Sequence, residues 1–243
     1  MSGHSKWANI KHRKEKSDSQ RGKAFTKLGR EIAIIVRHGG SDPETNSKLK
    51  DVIAKAKASN MPNDNIMRSI KKAAGDMNVD SYEEIAYEGY GPGGVAVIVE
   101  AMTDNRNRTA GDIRHFFDKF GGNLGTNGCV SFLFDKKGVI LVEKTDKANE
   151  DELMMEAIEA GAEDFNAEDE YFEVLTDPND FSAVREALEK KGYVFLQAEV
   201  EMVPQTTTKL TDPKQIEFMD KLVENLDDLD DVQNVWHNWD EGE

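Results

Sequence analysis

The sequence predicts a multidomain α+β protein, with an N-terminal three-helix basic bundle followed by two α+β domains, at least one of them ferredoxin-like. Three observations carry this expectation. The first is charge: residues 1–75 hold 17 Lys and Arg against 7 Asp and Glu, a net of +10, while the remaining 168 residues hold 14 against 40, a net of −26. The second is periodicity, which is helical up to Gly75 and then turns to strand-like runs with helices between them. The third is the order strand, helix, short strand, strand, helix, strand between Gly138 and Val203, which is the βαββαβ order of a ferredoxin-like layer.

Residues 1–20 alternate basic, polar and small side chains without an apolar period and read as an arm. The stretch GHSKWANIKHRKEKSDSQRGKAF, Gly3 to Phe25, carries seven Lys or Arg against two acids. A helix is predicted from Arg21 to Arg37. Phe25, Leu28, Ile32, Ile35 and Val36 share one face, and Lys23, Lys27, Arg30 and Arg37 lie opposite, with Ile34 an exception among them. Gly39-Gly40 stops it. A second helix fits Thr45–Ser59, with Leu49, Val52, Ile53 and Ala56 inward and Lys48, Lys55 and Lys57 outward. Asn and Pro signals in NMPNDNI open a third, which runs to about Ala74 with Ile66 and Ile70 inward and Arg68, Lys71 and Lys72 near its end.

Beyond Gly75, YEEIAYEGY and VAVIVEAM read as strands around GPGG, and DNRNRTAGDIRHFFDKF as a helix. CVSFLF and GVILVE read as two strands around a DKKG turn. Helices fit Glu150–Ala160 and Asn179–Lys191, and strands fit EYFEVLT and YVFLQAEVEMV. In the last of these, Ala198, Val200 and Met202 alternate with Gln197, Glu199 and Glu201. PQTTTKLTDP is a polar linker, a helix follows from Pro213 to about Leu226, and DVQNVWH closes the chain as a strand. The predicted units are residues 1–78, the arm and bundle; residues 79–136 with 205–243, a discontinuous α+β domain; and residues 137–204, an inserted ferredoxin-like domain.

Enzyme chemistry finds little support. GYGPGG matches G-x-G-x-x-G literally, but a strand follows where a dinucleotide site needs a helix N-terminus. Asp164, Asn166 and Glu168 imitate a calcium loop, yet Asp169 stands where that loop needs glycine. The five histidines show no zinc spacing, and neither a Walker motif nor a G-x-S-x-G elbow occurs. Cys129, placed in a strand, is the single cysteine, which fits a reducing compartment. There is no apolar leader and no run of membrane-spanning length, so a soluble, cytoplasmic, non-enzymatic protein without metal or cofactor is expected.

A charge asymmetry of this size suggests a module for a polyanion. The candidate nucleic-acid-binding residues are Lys6, Trp7, Lys11, Arg13, Lys14, Arg21, Lys23, Lys27, Arg30 and Arg37. The arm and one helix face would hold phosphates without reading sequence. Trp7 either stacks on a base or anchors the arm to the protein. Arg106 and Arg108 in TDNRNRT are a candidate anion site, although Asp104 or Asn105 also suits a helix cap there. The acidic body, including Asp227, Asp228, Asp230 and Asp231, is expected to mask part of the basic module. Phosphate charge alone does not separate DNA from ribosomal RNA as partner.

GHSKWANIKHRK, RGKAFTKLGREI, YEGYGPGG, TDNRNRT, GGNLGTNG and DVQNVWHN together resemble the YebC/PmpR family over nearly the whole chain. Cys129 stands where serine would be expected and Trp236 where tyrosine is usual. The resemblance implies a helical first domain, two α+β domains and no catalytic residue. It implies a DNA-binding transcriptional regulator, or a translation factor. A mitochondrial relative activates translation of cytochrome oxidase subunit I, and bacterial relatives are linked to ribosomes and to elongation through proline runs. The family's N-terminal block falls on Lys6, Trp7, Lys11, His12, Arg13 and Lys14.

Overall fold

A computed structural model describes residues 18–75, 82–145 and 149–240. Helix α1 (Asp18–Gly39) starts three residues before its predicted start. It packs with α2 (Ser47–Ala58) and α3 (Asn63–Gly75) around Leu28, Ile32, Val36, Leu49, Val52, Ala56, Ile66 and Ile70. The predicted apolar stripes therefore form one core. Buried Asn46 joins two helix ends: its Oδ1 accepts from Leu49 N at the start of α2, and its Nδ2 donates to Ile35 O and Gly40 O at the end of α1. Gly40 takes φ 87°, and its amide caps Val36 O.

Strands β1 (Glu83–Tyr90) and β2 (Ala96–Thr103) form an antiparallel hairpin in which Glu83 faces Thr103 and Tyr90 faces Ala96. GPGG is the turn between them, with Gly93 and Gly94 at positive φ, so this motif connects two strands. Helix α4 (Arg106–Lys119) and the short β3 (Asn123–Leu124) follow. The sheet order is β3-β1-β2-β9, where β9 is Val232–His237. Helix α7 (Pro213–Asp227) packs with α4 on one face of this sheet, around Phe117, Ile113, Met219, Leu222 and Leu226.

The second sheet contains β4 (Phe134–Glu143), β5 (Asp164–Ala167), β6 (Tyr171–Thr176) and β7 (Phe195–Pro204), with α5 (Glu150–Ala160) and α6 (Phe181–Lys190). Its order is β5-β6-β4-β7 with every pairing antiparallel, the ferredoxin-like arrangement. A parallel pair, β8 (Thr208–Lys209) and β10 (Trp239–Asp240), completes the described elements.

Two expectations fail here. CVSFLF is not a strand: Cys129 lies in a loop, and Ser131–Leu133 form a single 3-10 turn. DKKG is not a turn either. Asp135 to Gly138 continue β4 and pair with Val203 to Val200 of β7. Gly138 serves a close approach, since a Cβ there would meet Thr176 Oγ1 and the Phe181 side chain well inside contact distance. The alternation of β7 is present, with Ala198 and Val200 packed on the core of this unit, but its other face is not left to solvent: Glu199 and Glu201 are buried as well. At Glu199 this face meets the bundle, with Lys55 Nζ of α2 3.0 Å from Glu199 Oε2.

Candidate nucleic-acid interface

The arm residues Lys6, Trp7, Lys11, His12, Arg13 and Lys14 lie outside the described residues. Of the candidates on α1, Arg21 and Arg37 are exposed, near opposite ends of the helix. The other three face inward, toward the unit that carries α7. Lys23 Nζ donates to Asp228 Oδ1 at 2.5 Å and to Asp228 O at 3.3 Å. Lys27 Nζ donates to Asp227 O at 2.6 Å and Oδ1 at 3.2 Å. Arg30 Nη1 donates to Asp230 O at 2.5 Å and Asp231 Oδ1 at 2.9 Å, and its guanidinium lies 5.3 Å from the Tyr82 ring centroid. The stripe opposite the bundle core is therefore an interdomain surface. Ile34, the apolar exception on that stripe, is buried and stands outside the bundle core, the sequence signal that this face is covered.

Asp231 is the centre of this contact. Besides Arg30, its carboxylate accepts from Arg108 Nη2 at 2.8 Å, Thr109 Oγ1 at 2.8 Å and Thr103 Oγ1 at 3.2 Å, and its backbone oxygen accepts from Met102 N. Burial works to raise the Asp231 carboxyl, but the bonds from Arg108 and Thr109 and the charges of Arg108 and Arg30 win and hold it below the usual carboxylate range. Arg108 thus holds an anion, and that anion is the chain's own. It also bonds Asp104 at 2.7 Å, while Asn105 Oδ1 caps α4 by accepting from Arg108 N. Arg106 is not brought to the same point. It is exposed, 3.7 Å from Glu83, and lines an open cavity with Tyr87, Asn107 and Asn127.

A second interdomain contact joins α2 to α6. Asp51 accepts from Arg185 Nε at 2.9 Å and from Ser182 Oγ, and Lys50 lies 3.6 Å from Glu186. The bundle is therefore seated on both α+β units.

What faces solvent on the bundle is another set of cations. Lys48 and Lys57 of α2 and Arg68, Lys71 and Lys72 of α3 are exposed. Arg68, Lys71 and Lys72 recur at i, i+3 and i+4 opposite buried Ile66 and Ile70, so they share one face, next to Met67 at 62% exposure. The sequence places these lysines and this arginine outward, and charge density directs attention to the arm and α1 instead.

Two regions of the chain match family models, residues 5–76 the TACO1/YebC protein N-terminal domain and residues 82–239 the TACO1/YebC second and third domain. The chain belongs to the TACO1/YebC family. A relative from Acetivibrio thermocellus is 76% identical over 239 residues, covering 98% of this chain and 99% of its own. One from Caldicellulosiruptor saccharolyticus is 60% identical over 243 residues, covering both chains fully. Each bears the name "Probable transcriptional regulatory protein". Among solved structures, the conserved hypothetical protein Aq1575 from Aquifex aeolicus superposes with a TM-score of 0.82 at 47% identity, over 93% of this chain and 92% of that one. Among the described residues no helix is long and apolar enough to cross a membrane.

Proposed function

We propose that this protein is a non-enzymatic, cytoplasmic regulator of gene expression that binds nucleic acid through the phosphate chain, with DNA as its target and transcription as the process it regulates. The observation that carries the reading is the segregation of charge: a bundle with an exposed Arg68, Lys71 and Lys72 face sits within a chain whose residues after 75 carry a net −26. Such a molecule meets a polyanion at one end and repels it elsewhere. The names of its relatives support a role in transcription.

Ribosomal RNA is the second reading, and one observation favours it. The exposed cations are spread over α2 and α3, and the most cationic stripe of α1 is turned inward. That arrangement grips backbone by shape and does not present one helix to a major groove.

The test is fluorescence anisotropy of nuclease-treated protein with labelled duplex DNA and with a structured ribosomal RNA fragment, from 50 to 200 mM salt. The DNA reading expects some duplexes to be preferred, each mismatched base pair costing about 1–3 kcal/mol. The ribosomal reading expects co-sedimentation with ribosomes and little duplex preference. No attachment to either polymer at the lowest salt overturns both.

A further inference from the structure

Lys23, Lys27 and Arg30 recur at i, i+4 and i+7 along α1, and each bonds one backbone carbonyl and one carboxylate of residues 227–231. Those carbonyls belong to the last residue of α7 and the residues just after it, where the helix dipole adds negative potential. The segment reads Asp-Asp-Leu-Asp-Asp, four carboxylates in five residues. A cation on α1 therefore meets closely spaced anionic oxygens, as it would along a nucleic-acid strand.

We propose that residues 227–231 are an intramolecular phosphate mimic, an acidic clasp that occupies α1 until nucleic acid displaces it. Binding through α1 and seating of the bundle on this segment are then mutually exclusive, so the free protein is held in a low-affinity state. The proposal rests on the nucleic-acid reading above and adds its regulation.

Two features suit the contact to exchange. The aspartate side chains of the Lys23–Asp228 and Lys27–Asp227 pairs are 62% and 46% exposed, so parting them leaves no dry carboxylate behind, while the Lys27 side chain is 14% exposed and relies on the incoming phosphate. Asp231 is the buried member, and it keeps Arg108, Thr109 and Thr103 when Arg30 departs. At Asp231, opening therefore strands no unpaired carboxylate, the event that makes rupture of most buried ion pairs costly. Nucleic acid supplies what the released lysines and arginine lose, through phosphate oxygens of the same charge.

The test compares wild type, Asp227→Asn with Asp228→Asn, and a control of equal charge, Asp112→Asn with Asp118→Asn, two exposed positions on α4 that touch no part of α1. Affinities for a 20-base-pair duplex and for a ribosomal RNA fragment are measured at 50 mM salt. Freeing two surface pairs is expected to tighten binding about 3- to 10-fold beyond the control. In parallel, amide hydrogen exchange of residues 226–231 in wild type is expected to speed up when nucleic acid is added. A clasp variant that binds no more tightly than the control, or a 226–231 segment that exchanges more slowly in the complex, overturns the clasp and leaves the binding reading intact. Absence of binding by all three proteins removes the reading itself and the clasp with it.

Discussion

Replacing Asp231 by Asn keeps the side chain's size and removes the charge on which two domains converge. Asp231 is 8% exposed, and its carboxylate accepts four side-chain bonds, from Arg30, Arg108, Thr109 and Thr103. An amide has one oxygen, so it can answer the Arg30 side or the Arg108 side but not both, and its NH2 group would face a guanidinium on the other. The threonines adapt, because a hydroxyl both donates and accepts. Arg108 is about half exposed and regains water, so the loss centres on Arg30, whose side chain is 17% exposed. Losing one charge-assisted bond to a largely buried partner costs about 2 kcal/mol. For a chain of this size that lowers the melting temperature by roughly 4–8 °C. The pH dependence supplies a second readout. Asp231 titrates below its ordinary value in the fold, so its contribution is complete above the unfolded carboxyl pKa and is lost as pH falls through the lower folded value. Calorimetry of wild type and Asp231→Asn from pH 7 to pH 3 should therefore show a gap that narrows on the acid side. A variant within about 0.5 kcal/mol of wild type at pH 7, or a gap constant down to pH 3, would refute the central role of this carboxylate.

Three further outcomes are expected. Changing Arg68, Lys71 and Lys72 together to Ala should flatten the logarithmic salt slope of nucleic-acid binding by up to about 2.7, equivalent to a roughly 40-fold smaller loss of affinity between 50 and 200 mM salt; an unchanged slope in a folded variant excludes that face. Glu88 accepts backbone N–H bonds from Gly128, Val130 and Ser131 at 2.8, 2.9 and 2.8 Å, and although burial opposes its charge, those bonds keep the carboxyl low. Glu88→Gln should cost about 1–3 kcal/mol and admit protease within residues 125–132, read by limited digestion. His237 is half-buried, and desolvation of its imidazole pushes its pKa down to about 4. Because the unfolded imidazole takes a proton near 6.5, stability is complete above that pH and falls by up to about 3 kcal/mol as pH drops toward 4; His237→Phe should melt at a temperature that changes less over pH 6.5–5.

The bundle was legible because its core recurs at helical spacing within each helix, from Leu28, Ile32 and Val36 to Ile66 and Ile70. Turn chemistry misled at one point: Asp135-Lys136-Lys137-Gly138 has the composition of a hairpin loop, yet Gly138 is there because Thr176 and Phe181 leave no room for a side chain. Interdomain contacts were the least readable. Lys27 and Asp227 are 200 residues apart, and nothing local distinguishes a cation destined for an aspartate from one destined for solvent. The sequence does suggest that the acidic tail faces the basic head, and the particular pairs follow only from how the domains sit. Glu199 illustrates the same gap, since its place on β7 is plain but the lysine that meets it belongs to another unit.

The first sheet draws its edge strand β9 from residues 232–237, after the whole ferredoxin-like unit has been made. During synthesis, β2 must therefore wait with one hydrogen-bonding edge bare, and Val97 and Val99 lack part of the cover they will later have. The second sheet has all its strands well before that, so the two halves should mature in the reverse of the order in which they begin. Chains released early would be the ones prone to clump, through the waiting edge.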